Sequence, residues 1–294
     1  MNSGWMIGWW TETPFHPGAG TAVGVIDLPV QRERHTGLPT MQASGVKGSL
    51  RRATEARDEY KNHVNKLFGT ADSTERASGS LGFSDLRVLA YPIRSMTGGT
   101  LWVTCPMVLS RFQQECGLVG ASTKVENLFP EANQALVTDE WAKQISGKQL
   151  FLEEYEYEVK TNTPLSNLAK HIAETLLPTG QAYAYVRQKF VSHLVVIADE
   201  EYQYLLSHST EIHPRIQLSD QKTSKNLWYE ETIPRDTLFY SLIFHLQRNR
   251  QDEDTTSNEW VNSLDETLAQ FGGDESLGRG WFRARVMRGE GEAE

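Results

Sequence analysis

The hydrophobic and polar positions of this chain follow the periods of both strands and helices. Residues 5–10 alternate as a strand does. Over 46–67 hydrophobic residues recur every three or four positions and Gly69 follows, which predicts one long amphipathic helix. Further helices are predicted over 106–117, 164–177 and 258–270, and further strands over 87–93, 100–104, 190–197, 238–246 and 281–286.

A β-hairpin is predicted in the second half of the chain. Two extended runs, 211–218 and 226–231, flank the polar connector 219–225. Because strands and helices interleave without a regular βαβα rhythm, the pattern favours an α+β fold with an antiparallel sheet. No internal repeat or long linker interrupts it, so we predict a single domain over 1–294, with insertions at 119–160 and around the hairpin.

The local distribution of charge is more informative about function than the net charge of the chain. The 294 residues carry a net charge of −9, which argues against a protein that coats nucleic acid over its whole surface. Residues 31–66 nevertheless carry a net charge of +4, which suits a local anion-binding groove, although a solvated helix face is the commoner meaning of such a pattern. No signal peptide or membrane span is predicted, and the two cysteines, Cys105 and Cys116, fit a core in a reducing cytoplasm.

Three places have residues suited to chemistry on an anion. The first turns of the helix from 46 place Lys47 and Arg51 on one face just after Ser44, where free backbone N–H groups favour a phosphate. The glycine-rich stretch 272–280 matches neither phosphate-loop motif, so a tight turn is favoured over a cradle for an RNA backbone that includes Arg279. Asp27 fits a surface turn best, and a proton acceptor or metal ligand beside a phosphodiester second.

Longer motifs resemble a known family. The run GVIDLPVQRERHTGLP at 24–39, followed by GVKGSLR at 45–51, resembles the N-terminal signature of the RAMP superfamily, and more narrowly the backbone subunits of type III-B (Cmr) CRISPR effectors. Three later blocks agree in order: 83–106, LWYEE at 227–231, and GGDE at 272–275 followed by GRG at 278–280. The resemblance spans 5–286 and is weak over 119–200.

The resemblance implies a fold and a way of binding RNA. It implies a ferredoxin-like (RRM-like) antiparallel palm with an inserted β-hairpin thumb at 205–231, in copies that stack along a CRISPR RNA (crRNA). Each thumb would kink the duplex of guide and target, with Ile212, Arg215 and Ile216 as wedge candidates. The residues that would bind RNA are Ser44, Lys47, Arg51, Arg94, Ser95, Gly272, Gly273 and Arg279.

The resemblance also implies an activity, a cofactor and partners. Asp27 would be the catalytic residue and would bind Mg²⁺ or Mn²⁺, as the 2′-hydroxyl of the target attacks its neighbouring phosphate. His16, Glu230 and Glu231 would assist, or have structural roles only. The implied partners are crRNA, target RNA, further copies and other Cmr subunits, in the cytoplasm. Two alternatives stay open: a crRNA-binding scaffold without nuclease activity, and an RRM-like RNA-binding protein outside CRISPR.

Overall fold

A sheet of twelve strands organises the protein in a computed structural model. The structure describes residues 4–70, 77–126, 128–144, 148–246 and 255–287. The strands are β1 (Gly4–Thr11), β2 (Thr40–Met41), β3 (Leu81–Phe83), β4 (Leu86–Ser95), β5 (Gly99–Thr104), β6 (Gln134–Val137), β7 (Gln149–Leu152), β8 (Tyr155–Thr161), β9 (Leu194–Val196), β10 (Glu211–Leu218), β11 (Ser224–Thr232), β12 (Leu238–His245), β13 (Leu268–Gln270) and β14 (Trp281–Met287). The α-helices are α1 (Ala43–Glu55), α2 (Val64–Phe68), α3 (Pro106–Leu118), α4 (Asp139–Gln144), α5 (Thr163–Thr175), α6 (Ala184–His193), α7 (Asp199–His208) and α8 (Thr255–Asn262).

Four antiparallel strands form the centre of the sheet, in the order β14–β1–β12–β4. Trp10 pairs with Leu238, and Leu238 pairs with Ala90. The end of β1, the starts of β12 and β14 and the end of β4 therefore lie along one edge, which we call the site edge. The expected mixed α+β architecture with a mostly antiparallel sheet is confirmed.

The segment predicted as an insertion at 119–160 adds strands to this sheet. Its strands β6, β7 and β8 continue the order beyond β5 as β9–β6–β8–β7. β9 runs parallel to β5, and β6 runs parallel to β8, so this outer part is mixed in direction.

Aromatic packing fixes the two loops at the site edge. Phe15 stands edge-on to Phe282, with ring centroids 4.8 Å apart, and Phe271 stands edge-on to Trp9 at 4.9 Å. All four rings are fully buried. Because Phe15 precedes His16 and Phe271 precedes the glycine-rich loop, the core holds both loops in place.

Three predicted elements differ in the structure. The single helix from 46 is wrong, because α1 ends at Glu55 and a turn precedes α2; Arg57 and Glu59 form an ion pair within that turn. No hydrophobic residue of the turn between Thr54 and Tyr60 is buried in the core, so nothing there holds a helix against the sheet. The strand predicted over 190–197 is wrong in its first half, where α6 continues to His193. The helix predicted over 258–270 ends at Asn262, and its last residues form β13.

The other predicted elements are present close to their expected bounds. The hairpin consists of β10 and β11, which pair with each other as a separate two-stranded sheet. Cys105 and Cys116 are buried in the core, as expected. Within the described chain, no helix is both long and apolar enough to cross a membrane.

Candidate active site

Asp27 is held by the second strand of the hairpin. Its backbone N–H donates to the Tyr229 carbonyl at 3.2 Å, and its carboxylate Oδ2 accepts from the Tyr229 N–H at 2.8 Å. Next to it, Leu28 N donates to the same carbonyl at 3.1 Å, and Glu231 N donates back to the Leu28 carbonyl at 3.0 Å. Residues 27–32, which we call the aspartate segment, therefore begin as a short third strand alongside β11.

Glu231 fastens the same segment with its side chain. The side chain is 4% exposed and its two oxygens serve three donors. Oε2 accepts from Val30 N at 2.9 Å, while Oε1 accepts from the Arg32 guanidinium at 2.6 Å and from the Thr210 hydroxyl at 2.8 Å. A carboxylate suits this place because it only accepts hydrogen bonds and has lone pairs for all three donors.

Glu230 joins the hairpin to the glycine-rich loop from the opposite face of β11. Its side chain is 3% exposed and lies between two guanidinium groups, from Arg215 at 2.7 Å and Arg279 at 2.9 Å. Asp274 of the glycine-rich loop also approaches this carboxylate. The base of the hairpin is thus anchored on both faces, by Glu231 to the aspartate segment and by Glu230 to the loop.

The neighbouring carboxylates of Glu230 and Asp274 shift each other's pKa in opposite directions. Burial by itself raises the pKa of Glu230, but hydrogen bonds from Asp274 and Arg215 and the charge of Arg279 outweigh it, so the net pKa is lowered. The hydrogen bond to Glu230, followed by burial, raises the pKa of Asp274. When one of the two carboxylates is protonated, it is therefore Asp274, which then donates a hydrogen bond to ionised Glu230.

Asp274→Asn is expected to stabilise the protein by about 1 kcal/mol at pH 8. The asparagine amide donates to Glu230 without needing a proton, and asparagine tolerates the left-handed backbone of this position, with φ of 61°. Because the raised pKa makes ionised Asp274 unfavourable in the folded chain, the gain is complete above the raised folded value and disappears as the pH falls from there to the ordinary value of 3.8. Urea unfolding at pH 8 and pH 3.5 measures this difference.

Asp220→Asn, in the exposed connector of the hairpin, is the matched control and should leave the unfolding free energy unchanged. A loss of stability in Asp274→Asn at pH 8 would show that ionised Asp274 pairs with the arginines instead.

His16, in the loop after β1, links that loop to the base of the hairpin and to the glycine-rich loop. It is 8% exposed, its Nδ1 donates to the Glu231 carbonyl at 2.7 Å, and its own carbonyl accepts from Gly273 N at 3.0 Å. Gly272 has a φ of 76°, and a Cβ there would overlap the His16 carbonyl. The predicted position Gly272 therefore serves a close backbone approach, and Gly273 serves a turn contact.

The three wedge candidates divide between the faces of the hairpin. Ile212 and Ile216 are about half exposed, at 49% and 55%, and share a face with Leu227 and Tyr229. Arg215 lies on the other face, in the ion pair with Glu230. The exposed apolar strip is thus formed by the two isoleucines and their cross-strand neighbours, while Arg215 belongs to the base.

The remaining RNA-binding candidates differ in exposure and in how many of their polar groups already have protein partners. Ser44 is exposed at the start of α1, and Lys47 has no ion-pair partner among the described residues. Arg51 is engaged by Glu55 at 2.9 Å, by the Gly69 carbonyl and by Asn65. Arg94 is 81% exposed on the site edge and pairs with Glu153, whereas Ser95 is buried.

The N-terminus of α1 already has a carboxylate. Ala43 N donates to Asp85 Oδ1 at 2.8 Å, so an anion bound at this helix end would lie beside a negative charge. Arg52, further along α1, reaches Glu275 of the glycine-rich loop at 3.5 Å. The structure therefore brings α1 against that loop. Among the candidate cations, Lys47 has the fewest protein partners within the described chain.

Sequence patterns left several residues of this site unrecognised. Tyr229, Thr210, Arg32 and Asp274 all make contacts described above, yet they were not singled out as site residues. Arg32 and Asp274 lie within the motifs at 24–39 and 272–275, so the motifs contained a signal for them. Nothing in the periodicity pointed to Thr210, whose partner is 21 residues away.

The described residues do not form a metal site by themselves. None of them belongs to a group of three or more histidine, cysteine, aspartate or glutamate side chains that could hold an ion. Asp27 brings one carboxylate, and Glu230 and Glu231 are committed to arginines. A divalent cation at Asp27 therefore stays a prediction, and such an ion would need further ligands from outside these residues.

Comparisons with known proteins match nearly the whole chain. The model of the RAMP superfamily matches residues 11–283. The CRISPR system Cmr endoribonuclease Cmr4 of Pyrococcus furiosus is 32% identical over 291 residues, covering 96% of this chain and 95% of that protein. The chain belongs to the RAMP superfamily and, within it, to the family of Cmr4 proteins.

Solved structures agree with this assignment. The crystal structure of oligomeric Cmr4 from Pyrococcus furiosus superposes with a TM-score of 0.75 at 28% identity, and 98% of each chain is covered. A subunit of the type III-B Cmr-beta complex bound to cognate target RNA gives a TM-score of 0.74 at 19% identity over 96% of each chain, which shows the same fold.

Proposed function

We infer that this chain is the multi-copy backbone subunit of a type III-B CRISPR effector and an endoribonuclease that cleaves target RNA paired to a guide. The observation that carries this function is the 32% identity to the Cmr endoribonuclease Cmr4 over 96% of the chain. Its partners are crRNA, target RNA, further copies of itself and other Cmr subunits. The expected alternatives, a scaffold without activity and an RNA-binding protein outside CRISPR, lack such support.

We propose that the central sheet is a ferredoxin-like palm and the hairpin its thumb. In chain order the central strands are β1, β4, β12 and β14, with α1 after the first and α8 after the third. Their spatial order β14–β1–β12–β4 is the order 4-1-3-2 of that fold. The thumb, β10 and β11, leaves and rejoins the palm at the site edge, and its exposed strip containing Ile212 and Ile216 suits a wedge between base steps.

The proposed reaction is a transesterification within the target strand. The target's 2′-oxygen forms a bond to its neighbouring phosphorus and the bond from phosphorus to the 5′-oxygen breaks, which leaves a cyclic phosphate and a 5′-hydroxyl. The 2′-hydroxyl gives its proton to the Asp27 carboxylate, and water protonates the leaving 5′-oxygen. A kinked strand brings the attacking oxygen, the phosphorus and the leaving oxygen into line, and this alignment lowers the barrier.

The support for Asp27 is its accessibility together with its hydrogen bonds to the thumb base. The side chain is half-buried beside the thumb base, and its carboxylate keeps one oxygen, Oδ1, outside the hydrogen bond to Tyr229. Glu230 and Glu231 are buried in ion pairs, so we propose structural roles for both. His16, which is also buried, holds the loops together.

The complex assembled with crRNA and its partner subunits provides the test. A labelled complementary RNA should be cut at regular intervals, with 5′-hydroxyl ends that a polynucleotide kinase labels directly, and a non-complementary RNA should stay intact. A divalent cation held at Asp27 and by further ligands would stabilise the charge on the attacked phosphate, so chelation should stop the cutting and added Mg²⁺ or Mn²⁺ should restore it.

Two results would contradict the proposal. Binding of guide and target without any cutting would identify a scaffold. Failure to bind crRNA in the presence of the partner subunits would place the chain's function outside a CRISPR effector.

A further inference from the structure

Asp27 is attached to the thumb more directly than to the palm. Its N–H and its carboxylate both bond to Tyr229, and its carbonyl accepts from Ala22 N within its own loop. A movement of the thumb base would therefore carry the carboxylate with it, provided that the aspartate segment stays on β11.

Backbone pairing alone is a weak attachment. The pairing of the segment with β11 amounts to a single isolated bridge, between Leu28 and Glu230, with three backbone hydrogen bonds around it. A segment this short frays easily, because each hydrogen bond contributes only about 1 kcal/mol net. The later part of the segment is also bonded to its own loop, through Ala19 N to the Pro29 carbonyl at 2.9 Å and Gln31 N to the Pro17 carbonyl at 2.7 Å. Among the described contacts, the Glu231 side chain is the one that joins this later part to the thumb.

The contacts of Glu231 reach along the segment and across the hairpin. Its carboxylate bonds to Val30 N, three residues after Asp27, and to Arg32 beyond it. The same oxygen that accepts from Arg32 also accepts from Thr210, which immediately precedes β10. One buried side chain thus joins the segment to both strands of the thumb base.

We propose that Glu231 is a positioning residue that fixes the aspartate segment to the thumb, so that the carboxylate and the kink in the target strand keep a constant separation. This inference rests on the proposed function and deepens it. The thumb would select which phosphate is bent into line, and Glu231 would keep Asp27 at that phosphate.

Hydrogen exchange tests the attachment without any reference to cleavage. In the complex assembled with crRNA, amides of peptides that cover 26–32 should exchange about 10-fold faster in Glu231→Ala than in the unchanged protein. Peptides from β1 and β12 should not change. Glu211→Ala is the matched control: its carboxylate accepts from Thr232 at the same thumb base but does not touch the segment, so exchange there should be unaltered.

Cleavage mapped to single nucleotides tests the consequence. With saturating complex, Glu231→Ala should cut about 100-fold more slowly, because a carboxylate displaced by about 1 Å loses alignment. It should also cut phosphodiesters next to the normal one. Glu231→Gln keeps an oxygen for Val30 N, so it should retain the normal cut position and be slowed by less than about 10-fold.

Loss of folded protein would lower only the amount of product, without moving the cuts, so the cut position separates positioning from instability. If Glu231→Ala fails to assemble, Glu231→Gln continues the test and should show exchange over 26–32 about 3-fold faster than in the unchanged protein, since the charge that holds Arg32 is gone.

The proposal would be overturned by unchanged exchange over 26–32 in both variants, or by faster exchange with unchanged cutting. It would also be overturned if Glu231→Gln abolished cutting while exchange stayed unchanged, because that result would indicate that Glu231 acts directly on RNA. If the unchanged complex does not cut paired RNA, the proposed function fails, and the exchange measurement still decides whether Glu231 holds the segment.

Discussion

Asp27→Asn is expected to slow cleavage of guide-paired RNA by about 1,000-fold, with binding of crRNA and target unchanged. Asparagine has nearly the same shape as aspartate, and its carbonyl oxygen still accepts from Tyr229 N. The segment therefore keeps its place on β11, while the group that would accept the 2′-hydroxyl proton is lost. Single-turnover cleavage with saturating complex measures the rate, and filter binding measures the affinity.

Asp58→Asn is the control for this substitution. Asp58 is 95% exposed and pairs with Lys61 in the turn after α1, so its replacement should leave the cleavage rate unchanged. If Asp27→Asn cut within a few-fold of the unchanged protein, the catalytic assignment would fail, and the kink alone would have to account for the rate.

Glu230→Ala is expected to lower the free energy of unfolding by about 3–5 kcal/mol. The substitution leaves the guanidinium groups of Arg215 and Arg279 without their shared carboxylate, and the side chain of Arg279 is only 11% exposed. Only Asp274, whose Oδ2 lies 3.9 Å from Arg215, then remains beside these charges, and a poorly compensated charge in such a place costs more than the ion pair itself contributes. Urea unfolding of the full chain at pH 7 measures the loss.

Glu158→Ala provides the comparison, because Glu158 pairs with Lys160 on an exposed strand face and should contribute less than about 1 kcal/mol. A loss of similar size in both variants would mean that the Glu230 cluster contributes no more than a surface pair.

The loss in Glu230→Ala should depend on pH. Since the pKa of Glu230 is lowered on folding, the stability that it provides is complete above its ordinary value of 4.5 and is lost as the pH falls through the lower folded value. The difference between the two proteins should therefore narrow below pH 4.5, as long as both remain folded.

Hydrophobic periodicity predicted correctly the elements whose structure is determined by their local sequence. The hairpin, the first and last strands and the helix over 106–117 each have a regular pattern and clear ends, and each is present. The prediction of one helix from 46 was wrong at residues 56–59, which contribute no hydrophobic side chain to the core, although Tyr60 after them packs against it. The strand over 190–197 failed because a short buried strand and the last turns of a helix have the same apolar composition.

The candidate site likewise has features that the sequence predicted and features that only the fold shows. The motif around Asp27 identified the aspartate, yet only the fold shows that its partner is Tyr229, 202 residues away along the chain. Helix spacing pointed to Arg51 and the glycine-rich stretch to Arg279 as cations for RNA, and the resemblance implied Arg215 as a wedge. Each has an acidic partner in the structure, because partly buried guanidinium groups need one. Glu55 is one helical turn from Arg51, whereas Glu230 lies 15 residues from Arg215 and 49 from Arg279.

The two-stranded thumb has one further mechanical consequence. At its base it is joined on both faces, but over 216–227 no further strand of the described residues adjoins it, and its register shifts after Gln217. A hairpin that is held at its base moves most easily at its free end, because two strands alone resist bending poorly. The outer thumb can therefore adapt to local differences in the path of the RNA, while the clamped end, and the cutting position set there, stays the same from one sequence to the next.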